Sequence, residues 1–324
     1  MDSVLETTNT FLQDDLRQVE ALLASVHRVE GTLMQEVADY VRAGHGKMLR
    51  PIVSCLAARL FQTPGIPGQN RVRVATASEL IHTATLLHDD VIDKAPLRRG
   101  RPTVNARWGD DVAILMADYL YATAYDLLLS TLRPESIRIF AKVTQEMTFG
   151  EMFQIETRDH WLRVDEYMKI IRNKTACLFS ACAGLGALVG GAAPEEVKRT
   201  ADFGLHFGMA FQLTDDALDY VAQGDHWGKR VGSDVAEGKQ TLPLLHTLLQ
   251  AGEEDREGLL ACLSNGRDFA TVHGYVQKYR GVEATLALAE QYVAKAVNEL
   301  DGLGDEHPRE LLCAIARAVV SRHR

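Results

Sequence analysis

The chain has 324 residues, of which 46% are hydrophobic and 24% are charged, and its formal net charge is −9. This balance is typical of a globular protein and excludes a disordered or fibrous chain, while the negative charge argues against a general nucleic-acid binder, because phosphate neutralisation requires a basic face. The five cysteines form no CxxC pair and the first residues contain no apolar signal region, so we expect a cytoplasmic protein without a disulfide framework or a cysteine zinc site.

Apolar residues recur at intervals of three and four along most of the chain, which predicts α-helices. The clearest stretches are FLQDDLRQVEALLASV (11–26), ILMADYLYATAYDLLLSTL (114–132) and LALAEQYVAKAVNEL (286–300). Turn-forming residues interrupt the pattern at 62–70, 94–111, 132–136, 190–196, 222–240 and 302–308. Alternating strand patterns are scarce, so the sequence predicts a single all-α domain of ten or more helices over residues 1–324.

One uncharged segment, TACLFSACAGLGALVGGAAP (175–194), is long enough to cross a membrane. Its residues are mainly Ala and Gly rather than Leu, Ile and Phe, which gives a weak transfer energy into lipid. Small residues also favour close packing between helices. We therefore predict a buried helix here and no membrane span.

The motif DDxxD occurs twice, each time on an apolar helical background. The six aspartates are Asp89, Asp90, Asp93, Asp215, Asp216 and Asp219. The first and last members of each motif share a helix face, and two carboxylates about 6 Å apart repel each other by roughly 3 kcal/mol at an effective dielectric constant near 20. Solvated helix ends would explain one such motif. Two copies on apolar helices instead predict a cation between the carboxylates, and oxygen ligands without cysteine favour Mg²⁺.

Basic residues accompany both aspartate motifs. They are Lys47, Arg50, Arg98, Arg99, Lys174, Lys229 and Lys239. Each one alone is more often an ordinary surface charge. Together with Mg²⁺, guanidinium and ammonium groups are what phosphate esters require. The pattern predicts two phosphate-bearing substrates, one held through metal ions and the other by basic side chains alone.

These motifs together resemble those of the trans-isoprenyl diphosphate synthases, the polyprenyl synthetase family. The segment DDVIDKAPLRRGRPTVN is similar to the first aspartate-rich motif of the family, and FQLTDDALDY is similar to the second. GHGKMLRP resembles the family's GGKRxRP, and GKRVGSDVAEGKQTLPLL resembles GKxxGxDxxEGKxTLP. The resemblance covers residues 41–245, with a helical tail after them. It implies a large helical bundle of the isoprenoid synthase type with a central active-site cavity.

The resemblance also implies a role for each matching residue. Asp89, Asp93 and Asp215 would ligate a cluster of about three Mg²⁺ ions, with Asp90 and Asp219 as further candidates and Mn²⁺ as an alternative ion. The residues expected to hold the allylic diphosphate are Arg98, Lys174, Lys229 and Lys239. Those expected to bind isopentenyl diphosphate are Lys47, Arg50, His82 and Arg99, although a histidine on an apolar helix is more often a core residue. The residues expected to stabilise the allylic cation are Thr175 and Gln212.

The implied reaction is a head-to-tail 1'-4 condensation. Metal ions and basic residues would stabilise the departing diphosphate, the alkene of isopentenyl diphosphate would attack the allylic cation, and the diphosphate would accept the released proton. One departure from the family pattern is Met48, which replaces the usual basic residue in GGKRxRP. Because Lys47 and Arg50 remain, we expect the activity to be retained, with the effect of Met48 on isopentenyl diphosphate binding left open.

The length of the product would depend on an apolar tunnel beside the first motif. Ala77, Ile81, Ala84 and His88 lie on one helical stripe. Short-chain family members place aromatic rings four or five residues before the first aspartate, where this chain has Thr85 and Ala84. By the same resemblance, Leu128 and Phe140 are candidates for the tunnel floor, although plain core packing also explains apolar residues at such positions. The segment IHTATLLHDDV (81–91) resembles long-chain bacterial members of the family that make quinone side chains, which implies a product of around eight isoprene units, with a geranylgeranyl or shorter product as the alternative.

Two other kinds of protein remain open. A class I terpene cyclase would use a similar fold and one DDxxD motif, but its second metal motif differs from the repeat seen here. A non-catalytic subunit of a heteromeric prenyl synthase would usually lack one or both motifs. The family is commonly homodimeric, so we expect a homodimer whose long apolar product passes to a membrane enzyme.

Overall fold

The computed structural model describes residues 1–26, 31–44, 46–65, 67–157, 160–221 and 232–321. Within these residues there are seventeen α-helices, one π-helical turn and two short strands. The helices are α1 (Asp2–Phe11), α2 (Gln13–Val26), α3 (Thr32–Arg42), α4 (Leu49–Leu60), α5 (Gln69–Ile92), α6 (Val104–Trp108), α7 (Asp110–Leu129), α8 (Pro134–Glu156), α9 (Val164–Ile171), α10 (Cys177–Gly190), α11 (Pro194–Val221), α12 (Ser233–Glu237), α13 (Leu242–Gln250), α14 (Glu253–Ser264), α15 (Phe269–Lys278), α16 (Gly281–Glu299) and α17 (Glu306–Val320). The π-helical turn is Arg172–Ala176, between α9 and α10. The predicted all-α fold class is confirmed.

Helix α10 occupies the centre of the molecule. It packs against α4, α5, α8 and α11. Twelve of its fourteen residues are buried, and most of these are small or apolar. The segment 175–194 therefore contributes a core helix, as its Ala and Gly content predicted. Because α5 and α11 both rest on α10, this helix sets the spacing between the two elements that carry the aspartate motifs.

The helix ends agree with most of the predicted breaks, with one difference near the N-terminus. The stretch 11–26 was expected to form one helix, whereas the structure ends α1 at Phe11 and begins α2 at Gln13. Leu12 between them is fully buried, as are Val19 and Leu23 on α2. The apolar residues keep their spacing across the bend because those of both helices face the core. Periodicity identifies the buried side, but it does not locate a bend in the backbone.

The two strands form a hairpin directly after the first aspartate motif. Strand β1 (Leu97–Arg98) pairs antiparallel with β2 (Arg101–Pro102). The two turn residues, Arg99 and Gly100, both have positive φ, at 52° and 73°, which is the geometry of a type I′ turn. The hydroxyl of Tyr40 on α3 donates a 2.7 Å hydrogen bond to the last carbonyl of β2. The hairpin is therefore fixed to α3, with Arg98 at the end of β1 and Arg99 in the turn.

A buried carboxylate ties the N-terminal helices to the helix that carries the first motif. Asp15 on α2 is fully buried. Its two oxygens lie 2.8 Å from the Nε of Arg59 on α4 and 2.7 Å from the Nε of Arg71 on α5. Removing one partner of a buried ion pair leaves the others without compensation, which is costly.

We expect Asp15→Ala to lower the free energy of unfolding by about 3 kcal/mol, because it strands two arginines whose charges are largely shielded from water. Denaturant unfolding followed by circular dichroism measures this change. Asp14→Ala is the matched control, since Asp14 pairs with Arg17 at 3.4 Å while both side chains are mostly exposed. Equal effects of the two substitutions would show that the buried pair does not stabilise the fold.

Candidate active site

The two aspartate motifs lie at the C-terminal ends of α5 and α11. Asp89 is in the last turn of α5, and Asp93 is its C-cap residue. Asp215 lies two turns before the end of α11. The π-helical turn Arg172–Ala176 packs against α11 and α8, and α10, which follows it, also contacts α5. The motifs therefore converge on this π-helical turn, from which Lys174 and Thr175 project.

The first motif combines a buried carboxylate with nearby charges of both signs. Burial raises the pKa of Asp89 to about 6, with Lys174 and Arg98 lowering it and Glu151 raising it. Asp90 is buried, and its Oδ1 accepts a 2.8 Å hydrogen bond from the Nε of Arg98. Arg98 thus pairs with the motif itself in this structure. The arrangement holds the guanidinium beside the carboxylates without fully compensating Asp89.

Lys174 is held by two side chains of α8. Its Nζ forms an ion pair with Glu151 and donates a 2.7 Å hydrogen bond to the Oε1 of Gln154. Less than a quarter of either charged side chain is exposed. The ammonium group is therefore fixed in direction before any substrate arrives, which reduces the entropy lost when it binds a diphosphate.

The π-helical turn depends on two glycines in neighbouring helices. A Cβ added at Gly208 of α11 would lie 2.5 Å from the Cα of Ala176. A Cβ added at Gly150 of α8 would lie 2.8 Å from the Cβ of Asn173. The wider π-helical turn thus fits only because both neighbours lack a side chain there. Such turns occur often at functional sites, and here the turn presents Lys174 and Thr175 on adjacent positions.

The second motif is anchored by hydrogen bonds on its buried side. Asp216 is only 5% exposed and accepts hydrogen bonds from the Nε2 of Gln212 at 2.8 Å and from the hydroxyl of Tyr167 at 2.5 Å. Thr175 Oγ1 in turn donates a 2.8 Å hydrogen bond to Gln212 Oε1. Burial raises the pKa of Asp216 to about 7, with Asp234 adding to the effect. The two residues predicted to face the allylic cation are therefore in direct contact.

Asp219 has a different environment. Its Oδ1 accepts a 2.8 Å hydrogen bond from Ser233 Oγ, and its Oδ2 accepts a 3.0 Å bond from the backbone nitrogen of Asp234. Both oxygens thus bind the start of α12. Lys239 follows α12, and its Nζ lies 2.6 Å from Glu237 Oε2. Although burial lowers it, the pKa of Lys239 is raised by nearby carboxylates, Asp93 among them. Lys229 lies outside the described residues.

The residues predicted to bind isopentenyl diphosphate lie around the hairpin tip and the start of α4. Arg99 donates a 2.8 Å hydrogen bond to the carbonyl of Gly44, so the hairpin tip contacts the segment that carries Lys47. Lys47 forms a 2.9 Å ion pair with Asp2 on α1. Met48 has a positive φ of 54° and packs partly buried against the core. Its side chain therefore contributes to packing at the N-terminus of α4.

Arg50 and His82 lie deeper. The guanidinium of Arg50 stacks 4.7 Å from the ring centre of Phe179, and among the described residues its Nε has no hydrogen-bond partner. Burial lowers the pKa of Arg50, while Glu79 and Asp215 raise it. His82 is half-buried on α5. A shielded arginine with an unused donor is a ready partner for an anionic ligand.

The donor set fits a divalent metal ion shared with a ligand. Within the described part of the chain, no three His, Cys, Asp or Glu side chains lie close enough together to hold an ion by themselves. The carboxylates are hard oxygen donors, as divalent ions such as Mg²⁺ require, and burial raises the pKa of Asp89 although Lys174 and Arg98 lower it. The carboxylates of the two motifs are thus chemically suited to a divalent metal ion.

All four candidate chain-length residues are fully buried. They are Ile81, Ala84, Leu128 and Phe140. Helices α5 and α7 run antiparallel, because Arg73 near the start of α5 bonds Ser130 after α7, whereas His88 near its end lies 3.8 Å from Asp118. Leu128 is thus at the opposite end of the helix pair from the first motif. The position agrees with a tunnel floor, and the tunnel itself stays a prediction.

Three residues of the site were missed by sequence reasoning. They are Glu151, Gln154 and Tyr167. Glu151 and Gln154 are three positions apart and therefore share a helix face. This spacing could have predicted a polar side of α8. Tyr167 gave no comparable signal, since an isolated tyrosine in an apolar helix is usually core.

Comparisons with known proteins agree on one family. A family model described as polyprenyl synthetase matches residues 31–278. Octaprenyl diphosphate synthase of Escherichia coli (strain K12) is 34% identical over 99% of this chain and 99% of its own length. Heptaprenyl diphosphate synthase component 2 of Geobacillus stearothermophilus is 37% identical over 98% of this chain and 99% of its own length. A solved polyprenyl synthase from Caulobacter crescentus CB15, complexed with calcium and isoprenyl diphosphate, superposes with a TM-score of 0.92 at 33% identity, covering 99% of this chain and 98% of that one.

The raised pKa of Asp89 predicts how Asp89→Asn changes stability with pH. Because folding raises this pKa from 3.8 to about 6, the folded state holds the proton more tightly, and the stability gained from protonation is lost as the pH rises from about 4 to 6. The Asp89→Asn variant has no carboxyl group at this position, so its free energy of unfolding does not fall for this reason over the same pH range. Its free energy of unfolding relative to the wild type should therefore be higher at pH 7.5 than at pH 5, by about 1 kcal/mol.

Denaturant unfolding at the two pH values measures this difference, with Asp14→Asn as an exposed control expected to show none. A pH-independent difference for Asp89→Asn would mean that the carboxyl is not buried in the folded protein.

Proposed function

The chain belongs to the polyprenyl synthetase family, and on that basis we propose that it is a long-chain trans-prenyltransferase. It extends an allylic diphosphate by successive 1'-4 condensations with isopentenyl diphosphate and releases an all-trans polyprenyl diphosphate of around eight isoprene units. The observation that carries this proposal is the convergence of both aspartate motifs on the turn that presents Lys174 and Thr175. The full-length similarity to octaprenyl and heptaprenyl diphosphate synthases supports the length class.

The allylic diphosphate is placed between the two aspartate motifs. Asp89, Asp93 and Asp215 would hold a cluster of Mg²⁺ ions, which when bound would supply positive charge to the diphosphate leaving group. Lys174 approaches from the π-helical turn, where Glu151 already fixes its direction. Arg98, Lys239 and Lys229 would complete the basic side of the site. Electrostatic stabilisation of this leaving group is the main catalytic contribution.

Isopentenyl diphosphate is placed by basic side chains alone. Arg99 and Lys47 lie near each other on the hairpin tip and the segment before α4, and Arg50 offers an unused buried donor. Guanidinium groups bind phosphate oxygens in pairs of hydrogen bonds and need no metal ion. Because Met48 packs toward the core, binding would depend on Lys47, Arg50, Arg99 and His82. The two substrates then approach each other with the alkene facing the allylic carbon.

The condensation follows from this placement. Departure of the diphosphate leaves an allylic cation, which the oxygens of Thr175 and Gln212, 2.8 Å apart, would stabilise. The alkene attacks the cation, a C–C bond forms, and the departed diphosphate accepts the proton that is lost. The lengthened chain would extend between α5 and α7, past Ala84 and Ile81 toward Leu128 and Phe140.

We also infer a homodimer that pairs through α7 and α8. Apolar side chains are exposed on both helices, including Leu115 at 67% and Met152 at 65%. The hydrogen bond between Tyr125 and Thr144 sets the antiparallel register that brings these two residues to the same level. In the described part of the chain, α7 is also the one helix whose length and composition would allow a membrane span. A second copy covering this face explains its apolar surface without lipid.

The function is tested with purified protein, labelled isopentenyl diphosphate and each allylic starter, with Mg²⁺, with Mn²⁺ or with EDTA. We expect a metal-dependent ladder that ends at one long linear product, and Asp89→Asn should abolish it. Cyclic products would identify a terpene cyclase. Absence of elongation by folded protein that still binds diphosphate would point to a subunit that needs a partner. One relative is itself described as component 2 of a heptaprenyl diphosphate synthase.

The tunnel model predicts a graded effect of phenylalanine substitutions. Ala84 lies about 7.5 Å and Ala77 about 18 Å along α5 from Asp89. Ala84→Phe should therefore give a shorter product than Ala77→Phe, and both should give shorter products than the wild type. Mass spectrometry of the extracted products measures the lengths. If both positions are plain core, the variants will lose thermal stability while the product length stays unchanged.

The dimer model predicts that positive charges on the exposed apolar face of α7 and α8 separate the subunits. Leu115→Lys combined with Met152→Lys should convert a dimer into a monomer in size-exclusion chromatography with light scattering. The control is Leu249→Lys, because Leu249 on α13 is equally exposed at 68% but lies on another helix. A double variant that stays dimeric would exclude this face as the interface.

A further inference from the structure

Asp216 is the acidic residue of the second motif that points into the protein. It is 5% exposed, and both of its carboxylate oxygens are used by protein donors. One donor is the amide nitrogen of Gln212, one turn earlier on α11, and the other is the hydroxyl of Tyr167 on α9. Burying a carboxylate is costly unless such bonds satisfy it. A buried carboxylate with two dedicated donors therefore suggests a task for which an apolar residue would not serve.

The hydrogen bonds fix the direction of the Gln212 amide. An ionised carboxylate can only accept hydrogen bonds, so while Asp216 is ionised the NH₂ end of the amide faces it, as the 2.8 Å bond from Gln212 Nε2 to Asp216 Oδ1 shows. The carbonyl end then faces the opposite way and accepts the 2.8 Å hydrogen bond from Thr175 Oγ1. A flip of the amide would place two acceptors against each other at Asp216. The series from Tyr167 to Thr175 therefore has one consistent arrangement of donors and acceptors.

The ends of this series are themselves rigid. Tyr167 is 3% exposed, and α9 begins with a capping box in which Glu166 Oε2 accepts a 2.9 Å hydrogen bond from the backbone nitrogen of Arg163. Thr175 lies in the π-helical turn, which packs against α11 at Gly208. Three separate elements, α9, α11 and the π-helical turn, are thus connected through the Asp216 carboxylate.

We propose that Tyr167 and Asp216 are positioning residues that orient the Gln212 amide, so that the oxygens of Gln212 and Thr175 face the allylic carbon as its positive charge develops. This proposal rests on the proposed condensation activity. The two residues do not touch the substrate. They hold two dipoles in the direction that stabilises a cation, which avoids the cost of reorienting these dipoles during the reaction.

Tyr167→Phe is the informative substitution, because it removes one hydroxyl while leaving the ring and every carboxylate of both motifs in place. We expect kcat to fall by about tenfold or more, as for other groups that orient a catalytic side chain. The KM values for both substrates and the Mg²⁺ dependence should change little. Tyr119→Phe is the control, since it removes a comparable hydroxyl hydrogen bond, 3.0 Å to the carbonyl of Val26, at a distance from the site.

A double-mutant cycle with Gln212→Ala decides whether the effect passes through the amide. If Tyr167 acts by orienting Gln212, then Tyr167→Phe should lower kcat by less than about twofold in the Gln212→Ala background. An equal reduction in both backgrounds would overturn the proposal, and so would an unchanged kcat with a lowered melting temperature. Failure of the wild type to elongate any allylic starter would instead overturn the proposed function, on which this inference depends.

Discussion

Shielded negative charge is the constraint on which the arrangement of this protein depends. Two DDxxD motifs bring six carboxylates to the ends of two helices that otherwise pack into an apolar core. Like charges at such distances repel by amounts that would matter to a marginally stable fold. The structure offsets part of the repulsion locally, with Arg98 on Asp90 and with hydrogen-bond donors on Asp216 and Asp219. Burial raises the pKa of Asp89 although Lys174 and Arg98 lower it, so its negative charge is only partly compensated by its neighbours.

Small residues make this arrangement possible. Six of the fourteen residues of α10 are Ala or Gly, so α4, α5 and α11 can approach its axis closely. Gly204 on α11 illustrates the contact, because a Cβ there would lie 2.3 Å from the carbonyl oxygen of Phe179. The close approach brings the second motif within hydrogen-bond reach of the π-helical turn. The geometry of the site therefore depends on core packing, because a wider spacing between α10 and α11 would separate Thr175 from Gln212.

The site divides into a rigid half and a more open half. Around the π-helical turn, Lys174, Thr175 and Gln212 are each held by at least one buried or half-buried partner. Around the hairpin tip, Lys47 and Arg99 are exposed, and their contacts join surface segments. This division suits the proposed reaction. The half that would stabilise the developing charges is preorganised, whereas the half that would admit a new isopentenyl diphosphate in each cycle can exchange its surface contacts for phosphate oxygens.

The sequence by itself determined the helical class, the buried helix within 175–194 and the repeated aspartate motif, because each depends on local periodicity or on residues close together in the chain. The family resemblance extended this to residue roles, which remain proposals. Neither the bend at Leu12 nor the hairpin was predicted, because an apolar period does not record where the backbone turns. Only the tertiary structure decided that Glu151 holds Lys174 and that Tyr167 reaches Asp216 across 49 positions of the chain. Such contacts depend on how α8, α9 and α11 pack together, and no local pattern of residues specifies that packing.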